Sequence, residues 1–173
     1  MSNDRSDPLS NPRPLLRSVY AYAAYRVGPG PDAEDILSEV VERGLRYRST
    51  YDPKVGTPLA WMIGIARRVI ADRANLQPLA PEQAVADSHD FEAESLQRLD
   101  LQAALARLSA RDRELLALRY GADLKASQIA DQLDLEVNAV EVALHRALRR
   151  MRGLLEPTGD ASVDVRTRHV PAP

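Results

Sequence analysis

From Leu15 to Leu76, and again from Leu101 to Leu155, apolar residues recur at spacings of three and four. Nowhere does the chain show the period-two alternation of a half-buried strand. That rhythm commits it to helices that pack stripe against stripe. One interruption divides it: PLAPEQAVADSHDFEAES, Pro78 to Ser95, has two prolines, little periodicity and a string of carboxylates, and reads as a flexible linker. The expectation is an all-α chain of two small helical domains. Residues 1–8 are a disordered N-terminus, 9–77 a helical bundle, 78–99 the acidic linker, 100–156 a helix-turn-helix unit and 157–173 a disordered tail without apolar periodicity.

In the first domain a helix over Leu15–Val27 would bury Leu16, Val19, Tyr20, Ala23 and Val27, and GPGP stops it. Asp32 is a suitable N-cap, and Asp32, Glu34 and Asp35 suit the positive end of a second helix running to about Tyr47 with Ile36, Val40, Val41 and Gly44 inward. After the loop TYDPKVGTP, Thr57 caps a third helix that Pro58 begins. Its expected buried stripe is Trp61, Met62, Ile65, Ala66 and Val69, with Arg67, Arg68 and Arg73 outside.

In the second domain Leu101, Leu105 and Leu108 form one stripe. Ser109 with Asp112 starts the next helix, Leu115, Leu116 and Leu118 fill its inner side, and Gly121 ends it. QIADQLDLEVNAVEVALHRALRR, Gln128 to Arg150, then reads as two short helices about a tight turn. Ile129, Leu133, Leu135, Val140, Leu144, Leu148 and Met151 supply the packing, and Asp134 occupies the turn, where aspartate tolerates the left-handed conformation.

Composition removes several classes. Without cysteine there is no disulfide framework and no thiolate zinc site, and His89, His145 and His169 lack ligand spacing, so no metal and no cofactor are expected. No glycine-rich phosphate loop, triad or pair of catalytic carboxylates appears, so no catalytic residue is assigned and an enzyme is not expected. No membrane span or signal peptide is visible, and a cytoplasmic protein without membrane insertion is expected. The net charge of −2 belongs to one place, because residues 81–100 hold six acidic side chains against one basic. Outside that segment, four arginines fall within the seven residues Arg146 to Arg152. This exceeds what a helix C-terminal dipole requires and fits an electrostatic footprint for DNA.

Taken together, DAEDILSEVVERGLR, TYDPKVGTPLAWMIGIARRVIADR and ALARLSARDRELLALRYGADLKASQIADQLDLEVNAVEVALHRALRRMR, in that order and spacing, resemble the extracytoplasmic-function (ECF) sigma factors of the sigma-70 family. The likeness covers Leu15 to Leu155. It implies a bundle of the region 2 type and a helix-turn-helix of the region 4 type, core RNA polymerase and promoter DNA as partners, and an anti-sigma protein that holds the free factor. By position it places Asp35, Ser38, Glu39 and Arg43 at the polymerase clamp, with Ser38 where the family usually has glutamine. It places Tyr51, Asp52, Lys54 and Thr57 in the loop that captures a −10 base, beside Arg67, Arg68 and Arg73; Arg68 stands for a frequent asparagine and Gly64 for a frequent arginine.

For the −35 element the wheel turns Asn138, Glu141, Val142, His145 and Arg149 away from the core stripe, with Arg146 and Arg150 completing the basic cluster. Glu141 and Ala143 depart from the basic front usual in the family, so phosphate attraction there falls to the helix N-terminus. Glu141 can still accept from a cytosine amino group and Val142 can touch a thymine methyl. Two other readings fit the residues. One is a sigma-like decoy that occupies an anti-sigma factor or polymerase without initiating, suggested by Ser38, Gly64, Glu141 and Ala143. The other is a free-standing helix-turn-helix regulator, which leaves the first domain without a task.

Overall fold

The computed structural model describes residues 7–76 and 92–156, and all the regular structure among them is helical. The first unit is α1 (Pro12–Val27), α2 (Pro31–Tyr47), a 3-10 turn (Arg48–Thr50) and α3 (Pro58–Leu76). The second is α4 (Glu92–Arg107), α5 (Ala110–Leu116) continued by a π turn (Ala117–Gly121), α6 (Ala126–Leu133) and α7 (Val137–Leu155). The stretch expected to be linker through residue 99 is therefore helical from Glu92. Residues 92–107 contain no glycine or proline and are rich in Ala, Leu, Glu and Gln, all strong helix formers. Residues 1–6 of the expected N-terminal extension, 77–91 of the linker and the tail 157–173 lie outside the described residues.

Several local expectations shift by a residue or two. Proline suits the first helical position, so α2 begins at Pro31 and its cap is Gly30, at φ 118°. Asp32 is then one of the first-turn acids and not the cap. In α1 the buried set is Leu15, Val19, Tyr22 and Ala23, not one centred on Leu16 and Tyr20. The helix packs against α2 and α3 and also against the second unit, and the combined face turns toward Tyr22. For the same reason α3 buries Met62, Ile63, Ala66, Val69 and Ile70, while Trp61 and Ile65 are only partly covered. Trp61 instead meets the ring of Tyr51 edge-on at 5.7 Å. Thr57 caps α3 as expected, its Oγ1 accepting from the Ala60 amide at 3.2 Å.

The two units share one apolar core. Val19, Tyr22 and Ala23 from α1 and Ile63 and Ala66 from α3 belong to the same buried cluster as Leu118, Ala122, Leu124 and Ile129 of the second unit. A smaller core of Ala104, Leu105, Leu108, Leu116, Ala147 and Met151 joins α4 and α5 to α7. Gly121 does not stop its helix by a left-handed residue, since the positive-φ glycines among the described residues are Gly28 and Gly30. It lies where the π turn meets α1: a Cβ there would sit 2.9 Å from the Tyr22 Cα and 3.0 Å from the Ala21 carbonyl oxygen. Only glycine lets the two backbones approach so closely. The π turn supplies that approach, with the Ala122 amide donating five residues back to Ala117 at 2.9 Å.

Candidate nucleic-acid interface

The helix-turn-helix is built by burial at regular intervals. α6 buries Ile129 and Ala130, and α7 buries Val140, Leu144, Ala147 and Met151. Between them Asp134 takes the left-handed conformation, φ 54° and ψ 52°, and the Leu135 amide donates to the Ala130 carbonyl at 3.0 Å, closing the turn. Because the buried positions form one stripe, Asn138, Glu141, Val142, His145, Arg146, Arg149 and Arg150 are all exposed. Val142 keeps 43% of its surface, enough to present an apolar contact beside the charges.

Arg150 differs from its neighbours. Its Nη1 donates to both carboxylate oxygens of Asp112, at 2.8 and 2.9 Å, and Asp112 is a buried charged residue at the start of α5. Arg150 thus ties the exposed helix to the scaffold and has less freedom to meet a phosphate than Arg146 or Arg149. The groove at this flank of α7 is lined by Arg107, Arg111, Arg146 and Arg150. Arg107 and Arg111 were not expected there, because they come from the junction of α4 and α5 and only folding brings them beside α7.

In the first unit the loop after α2 is held by its own chain. The Tyr51 hydroxyl donates to the Gly56 carbonyl at 3.0 Å, and Asp52 accepts from the Lys54 amide at 2.9 Å and through its carbonyl from the Val55 amide at 3.0 Å. Asp52, Lys54 and Thr57 are exposed, and Val55, not singled out from sequence, is 84% exposed at the tip. A rigid loop with an apolar tip and polar flanks can hold an unstacked base.

The three arginines of α3 do not form one face. Arg68 is exposed, Arg73 turns to α2 and donates to Glu39 at 3.0 and 3.1 Å, and Arg67 turns to the second unit. On α2, Asp35 and Ser38 are exposed, the Ser38 hydroxyl donating to the Glu34 carbonyl at 2.9 Å. Glu39 is already engaged by Arg73 and, at 2.6 Å, by Arg43, which also pairs with Asp72 at 2.8 Å. The hydrogen bond to Asp72, ahead of the pairing with Glu39, raises the Arg43 guanidinium further above its usual range.

The junction of the units centres on Glu114 of α5. It accepts from the Tyr22 hydroxyl at 3.0 and 3.1 Å and from Arg67 Nε at 2.9 Å, and pairs with Arg26. Arg67 also donates to the Gln132 carbonyl, and Gln132 Nε2 donates to the Ala60 carbonyl at 2.8 Å. Burial pushes the Tyr22 phenol up to about 12 against the opposing pull of Arg26 and Arg67, and burial lowers Arg26. None of Tyr22, Arg26, Glu114 and Gln132 was singled out from sequence. One signal was present: Leu15, Val19, Tyr22 and Arg26 follow the three-and-four spacing of a single stripe, so an arginine lies in line with buried residues and needs a partner.

Among the described residues no group of acidic or histidine side chains could hold a metal ion, and no helix is long and apolar enough to cross a membrane. A helical bundle joined to a helix-turn-helix with exposed arginines on its outer side sets the class, a two-unit helical protein with a candidate nucleic-acid face. Residues 13–76 match the family model for sigma-70 region 2, and residues 98–151 match that for sigma-70 region 4. SigD of Mycobacterium tuberculosis, an ECF RNA polymerase sigma factor, is 31% identical over 91% of this chain and 80% of its own length. BldN of Streptomyces coelicolor, another, is 31% identical over 80% of this chain, which spans 56% of BldN. The fold is also that of the sigma factor RpoE of Bartonella quintana, solved in complex with the anti-sigma factor NepR, with a TM-score of 0.67, 20% identity and coverage of 83% of this chain and 93% of that one. The chain belongs to the ECF sigma factors of the sigma-70 family.

Proposed function

We propose that this chain is a promoter-selecting initiation subunit of RNA polymerase. Asp35, Ser38, Glu39 and Arg43 engage the core enzyme, the Tyr51–Thr57 loop with Arg67 and Arg68 holds the melted −10 strand, and α7 reads the −35 element in the major groove. Melting needs such a site, since extruding a base costs a few kcal/mol that stacking and backbone contacts must recover. The observation that carries the reading is the exposure of Asn138, Glu141, Val142, His145, Arg146 and Arg149 along the side of α7 opposite its buried stripe. Glu141 at the front favours a site with cytosine in reach and weakens the general phosphate attraction. An anti-sigma protein is the expected antagonist, in keeping with the complex with NepR in which RpoE of Bartonella quintana was solved.

The test is transcription by purified core polymerase plus the full chain on a randomised promoter library. Discrete starts with a shared pair of upstream elements are expected, and Glu141→Lys should change the base preference within the −35 element alone. Holoenzyme that assembles but starts nowhere would turn the reading into that of a decoy.

A further inference from the structure

Asp72 and Arg73 are adjacent near the end of α3, and across from them on α2 stand Arg43 and Glu39, one turn apart, with the charges in complementary order. Nε and Nη2 of Arg73 both donate to one carboxylate oxygen of Glu39, at 3.1 and 3.0 Å. The other oxygen accepts from Arg43 at 2.6 Å, and the second arm of that guanidinium donates to Asp72 at 2.8 Å. Both oxygens of Glu39 and both arms of Arg43 are therefore held, so neither side chain changes rotamer without breaking a charge-assisted hydrogen bond. All four side chains keep between 28% and 53% of their surface, within reach of a partner.

Ion pairs this exposed add only modestly to stability, and α2 and α3 are already joined through Ile36, Val40, Ile63, Val69 and Ile70 of the shared core. What the network fixes above all is direction. We propose that Asp72 and Arg73 are positioning residues for the polymerase face: they hold Arg43 and Glu39 in the orientation that the core enzyme meets, and Arg73 does not itself contact the −10 strand. The inference rests on the reading of Glu39 and Arg43 as polymerase contacts. It adds that their orientation is set from α3. The gain is preorganisation, because a long side chain that is loose in the free protein loses rotamer freedom on binding, whereas one already held does not. Arg68, exposed on the same helix, is the comparison for strand binding.

The experiment titrates labelled core polymerase with the full chain, and follows binding of the assembled holoenzyme to a fluorescent −10 strand separately. Arg73→Ala should weaken core binding by about two- to tenfold, the range that freezing one long side chain costs. Arg73→Lys should recover part of the loss, since an ammonium keeps a charge beside Glu39 but not the paired donors. In a Glu39→Ala background Arg73→Ala should cost nothing further, because the residue acts through that carboxylate. A general loss of fold would instead lower affinity by the same factor in both backgrounds. At saturating chain, Arg73→Ala holoenzyme should bind the strand like wild type, whereas Arg68→Ala should bind it less well. Should Arg73→Ala fail to fold by circular dichroism, Asp72→Asn in a cycle with Arg43→Ala carries the same test. Additive losses in the cycle overturn the proposal, and so does a strand defect of Arg73→Ala equal to that of Arg68→Ala. If Glu39→Ala and Arg43→Ala leave core affinity unchanged, the assignment of the polymerase face fails and the proposal with it. If they weaken it while Arg73→Ala does not, the positioning role alone fails.

Discussion

Gly121 and Tyr22 are in backbone contact, and any side chain at 121 would meet the α1 main chain at 2.9 to 3.0 Å. Backbone in a packed helix does not move aside as a flexible side chain would, so a single methyl group must push the units apart or strain them. Overpacking of this kind costs about 1–3 kcal/mol. Wild-type protein, with one core running through both units, should unfold in one calorimetric transition. Gly121→Ala should lower its midpoint and split it in two. A single unshifted transition would mean that the junction adds nothing to cooperativity.

On α2 the four residues assigned to the polymerase are of two kinds. Asp35 and Ser38 are exposed, whereas Glu39 is engaged by Arg43 and Arg73 and helps fasten α2 to α3. Asp35→Ala should therefore weaken core-polymerase binding by roughly fivefold, as loss of one rim charge does, and leave thermal stability untouched. Glu39→Ala should weaken binding and also lower the unfolding midpoint. Titration of labelled core enzyme beside thermal denaturation separates the two.

Helices, their order and the exposed face of α7 were legible because each is written in local periodicity: the spacing that buries Val140, Leu144 and Met151 also determines what faces outward. The junction was not legible. Glu114 and Tyr22 are 92 residues apart, and nothing in the sequence near either names the other. Chemistry-bearing arginines were readable as residues outside a stripe but not by partner, so Arg67, Arg73 and Arg150 looked like Arg68 and Arg149. Whether an arginine is free or committed depends on which carboxylate folding brings to it.

Tyr22 carries a pH signature. Its phenol is neutral in the closed chain and its pKa is raised from 10.0 to about 12. In the unfolded chain it ionises first, so the stabilisation from its buried hydroxyl is complete below pH 10 and is lost as pH rises toward 12. Tyrosinate absorbance should show a group that titrates near pH 12 and that Tyr22→Phe removes. The variant should be less stable than wild type at neutral pH and should lose less stability between pH 10 and 12. Equal losses in both proteins over that range would contradict the assignment.

Arg149 and Arg150 are neighbours in sequence with different duties. Arg149 is exposed at the outer face of α7, and Arg150 holds the buried carboxylate of Asp112. Arg149→Ala should leave the unfolding midpoint unchanged, lower affinity for promoter duplex and reduce the slope of log affinity against log salt by about one contact. Arg150→Ala strands Asp112 without its cation. The arginine side chain is 57% exposed, so water replaces part of the interaction and the stability cost falls to about 1–2 kcal/mol. Asp112→Asn in the Arg150→Ala background should recover much of that loss, because the unpaired charge is then gone. Recovery of fold without recovery of DNA affinity would show that Arg150 also touches DNA, whereas recovery of both would assign it to the scaffold alone.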